Sequence, residues 1–333
     1  MMARRCGPAS AGRYDARVVT APFRLAPDLR PRVWGGTRLG APMDGIPVGE
    51  AWVAGGGCVV ASGPDAGRTL ADVVADDPAG MLGPDGVVAA DGRFPLLVKI
   101  LDTADWLSLQ VHPDDATAVA LEGPGAVGKT ESWYVLDAEP GAQLILGVED
   151  GVAPEAARDA IRDGTLHELA HRAGVHAGDV VLVRAGLLHA IGPGILLYEL
   201  QQPSDLTYRV SDWGRPASAG RPLHAGESLA SLRPTASVHP VPTRLEPDDR
   251  LTAIACEKFV ADLVAVASDR ETIATGSRSV HVVTVVEGSL VVEAAGVWEP
   301  VGRFESVVVP ASVEAYDIVP AGGPARAVVA RVP

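Results

Sequence analysis

Apolar residues in this chain come in short runs cut by glycine, proline and aspartate, with few stretches of helical period. The clearest runs fall at 96–101, 143–146, 179–183, 195–200 and 281–286. Each is rich in valine, leucine or isoleucine and bounded by turn residues, which is the pattern of strands. Helical spacing is confined to 69–76, 154–163 and 165–172. The second of these opens on Pro154, a position where the missing N–H has no helical partner to lose. The pattern predicts a mainly β chain with a small helical insertion.

Residues 1–20 read as a disordered extension, and 21–215 as one domain with the helical insertion near 150–172. From 216 to 249 the chain is rich in Pro, Ser, Ala and Arg without a period, as a connector would be. Short strands return over 250–333, with Glu287-Gly288 and Pro310-Ala311 as turns; sandwiches and barrels both fit that texture. At 333 residues there is room for two domains and a substantial core.

Composition narrows the setting. Cys6, Cys58 and Cys256 are too few and too scattered for a disulfide framework or a cysteine-based zinc module, which points to a reducing compartment. The early arginines are not followed by the apolar stretch of a signal peptide, and no later stretch approaches the ~20 apolar residues of a membrane span. The expectation is a cytoplasmic protein. A net charge of -14 speaks against nucleic acid and anionic membranes as partners, because both are bound through clustered Lys and Arg. An anionic small molecule would need a basic pocket set against the overall field.

The segment running from Trp106 to Asp115 carries the first chemistry. Read as a strand, it puts Ser108, Gln110 and His112 on one face and Leu109 and Val111 on the other. Periodicity alone also fits a half-exposed strand with its polar face in water. A second segment, Gly128 to Tyr134, places Lys129, Glu131 and Trp133 on one face. A third, from Gly178 to His189, is a strand, a tight turn and a histidine. His112, Glu131 and His189 together offer two nitrogens and a carboxylate, the donor set with which a catalytic zinc keeps one position open. Any one of these histidines alone would read as structural.

The strings Gln110-Val-His112-Pro-Asp, Lys129-Thr-Glu131, Gly178-(x5)-Arg184-Ala-Gly186-(x2)-His189 and Tyr208-Arg209-Val-Ser-Asp212-Trp-Gly-Arg215 occur in order. In this the sequence resembles the type I phosphomannose isomerases of the cupin superfamily. The likeness also takes in Trp34-Gly35-Gly36, Gly49-Glu50 and the run from Phe94 to Lys99; it is strong over 22–215 and weak beyond. It implies two cupin-type (jelly-roll) β-barrels. It implies one zinc ion (Zn2+) per chain, held by Gln110, His112, Glu131 and His189, with Arg209 catalytic and Lys129 and Glu199 as acid/base candidates. The implied substrate is a small-molecule sugar phosphate, mannose 6-phosphate being interconverted with fructose 6-phosphate through an enediol. The chain would act as a monomer or small homo-oligomer. Two positions depart from the pattern: Arg184 replaces the usual cupin proline, and Ala51-Trp52-Val53-Ala54 follows Glu50 where a further acidic residue is common.

Moving a proton between two sugar carbons requires a base near them and a group to hold the developing oxyanion. Arg209 offers fixed positive charge, and the sequence leaves the choice of base between Lys129 and Glu199 open. Ser108 and Lys99, on strands able to face a cavity, are the phosphate-binding candidates. The 250–333 segment repeats the strand texture without the donors: no histidine follows Pro310 to Ala315, and His281 alone reads as structural. Two other classes stay in play, an iron cupin dioxygenase and a non-catalytic sugar-binding cupin.

Overall fold

The computed structural model describes residues 19–215, 221–233 and 237–333. Nearly all of the extension expected over 1–20 lies outside the described residues, as do two stretches of the expected connector.

Two wide antiparallel sheets stand back to back. The first runs in the order Val241–Pro242, Asp179–Val183, Glu131–Ala138, Ile195–Gln201, Leu97–Asp102, Val48–Ala54, Asp28–Pro31. The second runs Arg250–Ala255, Val260–Val266, Ala325–Arg331, His281–Glu287, Ser306–Val309, Phe23–Ala26, Val59–Val60. A smaller sheet covers the far side of each. Tyr208–Ser211, Leu109–Val111, His189–Ile191, Gln143–Val148 and Ala170–Gly174 cover the first. Glu271–Ala274, Ala315–Pro320, Leu290–Ala294 and Val297–Val301 cover the second.

The strand Leu97–Asp102 shows how the pattern gives this layering. Val98 and Ile100 enter the apolar layer between the wide sheets, whereas Leu101 enters the core between wide and small sheet. With both faces covered, the strand reads as an unbroken apolar run whose one lysine, Lys99, faces the inner cavity. The helices Leu70–Asp76 and Pro154–Asp163 fall where the sequence predicts them. The run 165–172 is a correction: only Leu166–Glu168 turns, as a short 3-10 helix, and Ala170–Gly174 extends along Gln143–Val148. That sheet edge gives the backbone partners that one isolated helical turn would lack.

Among the described residues three further helices lie outside the predicted segments. Pro78–Ala90 is broken at Gly83, where φ is 69°, just before Pro84, so its helical period is obscured. Asp115–Glu122 is short and is started by Asp114, whose carboxylate accepts the Thr117 N–H. Ala225–Ser231 sits inside the expected connector and packs with Pro154–Asp163 over the outer face of the first small sheet. The N-terminal strand Phe23–Ala26 crosses over to pair with Ser306–Val309, Phe23 opposite Val308. Among the described residues no helix is long and apolar enough to cross a membrane.

Candidate active site and metal centre

Two strand beginnings and one strand end converge inside the first sheet pair. Glu131 opens Glu131–Ala138 opposite Val183, and His189 opens His189–Ile191 opposite Gln110, while His112 directly follows Leu109–Val111. One ligand atom each from His112, Glu131 and His189 lies within 4.8 Å of the others, and all three residues are buried. Gln110 joins them, its Nε2 3.1 Å from His189 Nε2. The alternation read from the sequence holds: Leu109 and Val111 pack under the helices while Ser108 and Gln110 line the cavity. Trp133, on the face of Glu131, donates its Nε1–H to Glu199 at 3.0 Å.

Whether the set suits a cation is decided by its unmet polar atoms. Both ring nitrogens of His112 and both carboxylate oxygens of Glu131 are buried without a well-aligned hydrogen bond. The Lys129 ammonium is only 2.8 Å from Glu131 Oε2, so that oxygen has a charge partner if not an aligned bond. His112 Nε2 and His189 Nε2 each lie 3.4 Å from a Glu131 oxygen. Buried polar atoms without partners are costly, and one divalent ion would satisfy all three side chains. Protonation agrees. Burial, reinforced by Lys129, pushes His112 down to about 3, and burial lowers His189 too, so both imidazoles are in the neutral, ligating form. Burial alone would raise Glu131, but Lys129, His112 and His189 hold it well below the usual carboxylate range. His189 Nδ1 faces Leu187 O at 2.9 Å, which leaves Nε2 for the centre. A carboxamide ligates through oxygen, so Gln110 would turn its amide over. Ser108 Oγ, now 3.0 Å from Gln110 Oε1, tolerates that because a hydroxyl both donates and accepts.

Beside this cluster opens a cavity of about 360 Å³. Lys99, Ser108, Gln110, Lys129, Glu199 and Arg209 all line it, so the structure gathers nearly every residue singled out in the sequence. Lys99 and Glu199 are fixed at 3.1 Å, Glu199 Oε2 also accepting from Trp133. One ammonium serves three carboxylates. Burial lowers Lys99, yet Glu199, Glu50 and Asp205 outweigh it and hold the lysine charged; burial and Glu131 push Glu199 up despite Lys99. At the mouth, the Arg209 guanidinium has no carboxylate within ion-pair distance among the described residues. Its charge is disfavoured first by burial and then by Arg221, with Arg32 adding to the repulsion.

Sequence reasoning passed over Arg32, Glu50 and Arg221. Glu50 receives Arg32 at 2.9 Å and Trp52 Nε1 at 2.8 Å; burial would raise it, but Lys99 and Arg32 bring it down to about 2. The string Gly49-Glu50 was visible, but nothing in it tells an inward glutamate from a surface one. Arg221 stands in the expected connector and grips Asp212 through two contacts, 2.8 and 2.9 Å.

A mainly β fold that buries a two-histidine, one-glutamate donor set at the end of a polar cavity has the makings of a metal-binding protein with room for a small polar molecule. The particular similarity is to phosphomannose isomerases: residues 23–138 match the family described as phosphomannose isomerase type I, catalytic domain. A mannose-6-phosphate isomerase of Streptococcus mutans is 41% identical over 202 residues, 58% of this chain and 61% of that relative. The chain thus aligns with less than two thirds of that curated relative's length. In three dimensions it is similar to the mannose 6-phosphate isomerase of Bacillus subtilis, with a TM-score of 0.79 at 29% identity over 93% of this chain and 99% of that one. A zinc-bound holo mannose 6-phosphate isomerase shares the fold, at a TM-score of 0.73 and 15% identity, covering 92% of this chain and 98% of that one.

Proposed function

We propose that the chain is a zinc-dependent aldose–ketose isomerase that interconverts mannose 6-phosphate and fructose 6-phosphate. The observation that carries this reading is the meeting with His189 of His112 and Glu131 atoms that lack a well-aligned hydrogen bond, at the end of a cavity lined by Lys129, Glu199 and Arg209. On the same reading each sheet pair is a cupin-type barrel, with 250–333 the barrel that lacks the donors.

His112, Glu131, His189 and, with its amide turned, Gln110 would hold one zinc ion. When bound, that ion supplies Lewis acidity toward sugar oxygens. Lys129, fixed 2.8 Å from Glu131, is placed to hold or move a proton at the carbon end of the substrate. Glu199, raised by burial, is the alternative base, although its Oε1 is committed to Lys99 and its Oε2 to Trp133. Arg209 presents a permanently charged guanidinium to the developing oxyanion without proton transfer. Three guanidiniums, Arg32, Arg209 and Arg221, stand along the cavity, and their mutual repulsion is relieved by a dianion. They favour the phosphate more than Lys99, which is already set among carboxylates, or Ser108, whose hydroxyl is engaged by Gln110.

The test is ketose formation from mannose 6-phosphate, free mannose, glucose 6-phosphate and arabinose 5-phosphate, with chelator and then with zinc added back. Chelator-sensitive, zinc-restored turnover of mannose 6-phosphate above the others is expected. Oxygen uptake in place of isomerisation would replace the reading with an iron dioxygenase, and binding without turnover with a sugar-binding protein.

A further inference from the structure

Lys129 lies in a stretch that belongs to no strand, yet three successive amides there are all pinned. Gly128 N–H donates to Asp115 Oδ1 at 2.8 Å, Lys129 N–H to Pro113 O at 2.9 Å, and Thr130 N–H to Gln202 Oε1 at 2.9 Å. Gln202 is itself oriented by Asp115, to whose Oδ1 it donates through Nε2 at 3.0 Å. One carboxylate therefore sets the backbone on both sides of the lysine. The approach is close: a Cβ at Gly128 would lie 2.6 Å from the Asp115 backbone nitrogen, so only glycine allows the strap to run beneath the start of helix Asp115–Glu122.

The other oxygen of Asp115 is held from the far half of the molecule. Lys258 Nζ reaches Asp115 Oδ2 at 2.7 Å across 143 residues of sequence. Lys258 stands in the turn between Arg250–Ala255 and Val260–Val266, closed by Cys256 N–H donating to Phe259 O at 3.0 Å and anchored by the fully buried Phe259. We propose that Lys258 and Asp115 are positioning residues for Lys129, so that the half without metal donors contributes to the reaction by fixing the active-site lysine. The inference rests on the acid/base role given to Lys129 above. Lys258 and Asp115 remain 31% and 47% exposed in their side chains, so the pair adds little to stability. Its effect should appear in turnover instead, because a lysine stem is flexible and misplacing it wastes the orientation that the site provides.

Lys258→Met in the full, metal-loaded chain should lower kcat about three- to thirtyfold with KM and bound metal within about twofold of wild type, the size of effect that network substitutions have on a distant site. Lys258→Arg should recover most of the loss, and Asp115→Asn should resemble Lys258→Met without adding to it in the double variant. Arg278→Met is the control, since it breaks another ion pair between the halves, Arg278 with Asp85 at 2.7 Å, that has no route to residues 128–130. It should leave kcat unchanged. Amide hydrogen exchange at Gly128 and Thr130 should quicken in Lys258→Met and not in Arg278→Met. Wild-type exchange and kcat in Lys258→Met would overturn the proposal, as would an equal loss in Arg278→Met. If the wild-type chain isomerises no sugar phosphate, the functional reading fails, and the exchange measurement still decides whether the strut exists.

Discussion

The two halves of the molecule place ionisable groups at matching points of matching sheets and treat them in opposite ways. In the first wide sheet Glu131 opens a strand opposite Val183, and Lys99 lies opposite Glu199; in the second His281 opens a strand opposite Val309, and Asp262 lies opposite Val329. At two of three points the sign is exchanged, and at the other a neutral ring replaces a charge. An imidazole stands for a carboxylate, a carboxylate for an ammonium, and Arg250, paired opposite Val264, for Glu50, paired opposite Leu101. The first set leaves His112 and Glu131 atoms without hydrogen-bond partners. The second is closed on itself: Asp262 accepts from Arg250 at 2.9 Å, Arg331 at 2.8 Å and Thr252 at 2.6 Å, while His281 Nδ1 shares a hydrogen bond with the Tyr316 hydroxyl at 3.0 Å. Unmet polar demand marks the half built for a ligand, and internal satisfaction marks the half that packs against it.

The strongest way to break this contrast is to remove a donor. His112→Ala or His189→Ala should abolish bound metal and lower kcat by roughly 10³–10⁴, the several kcal/mol that a Lewis acid contributes, while the chain stays folded. Full turnover in a metal-free preparation would end the comparison. Next in size, Arg209→Ala should leave metal content and Tm nearly unchanged but reduce kcat by roughly 10²–10³, with Arg209→Lys recovering only part. A loss confined to KM would make Arg209 a uniform binder of phosphate instead.

In the closed half the effects fall on stability. Asp262→Ala strands Arg250 and Arg331 and should cost about 2–4 kcal/mol, below the usual range for a broken buried pair because both guanidiniums reach water. Turnover per folded molecule should not change; an equal fall in kcat would show the halves to be less separate than drawn. The smallest effect is an acid slope. Burial, with Arg331 and Arg250, pushes His281 down to about 3, against about 6.5 in an unfolded chain. Between those values the unfolded chain takes a proton that the folded one excludes, so this group removes stability as pH falls, by about 1.4 kcal/mol per unit. Denaturant titrations from pH 7 to 4.5 should give a flatter curve for His281→Gln than for wild type; parallel curves would contradict the burial argument.

Much of the site was legible because period-two alternation fixes which residues share a face. Ser108 with Gln110, and Glu131 with Trp133, share a face by that rule, whereas Lys129 precedes its strand and is held beside Glu131 by their ion pair. What stayed hidden depends on partners distant in sequence. Arg221 looks like linker until Asp212 grips it, and Glu50 looks like surface until Arg32, Trp52 and Lys99 surround it. The strand at Ala170–Gly174 was misread as helix because a free sheet edge, absent from any local window, decides its conformation. The placement of Phe23–Ala26 in the second wide sheet is equally nonlocal.

That crossed-over strand also has a bearing on the order in which the chain can be assembled. Phe23–Ala26 leaves the ribosome well ahead of its partner Ser306–Val309, which lies far along the chain from it. At about 5–20 residues per second the wait is roughly 15–60 s. Until then Phe23 and Leu25, both buried in the finished protein, must remain uncovered or find temporary shelter. Every nascent copy passes through this interval, and it is then, more than after completion, that two copies on one message are most prone to pair with each other.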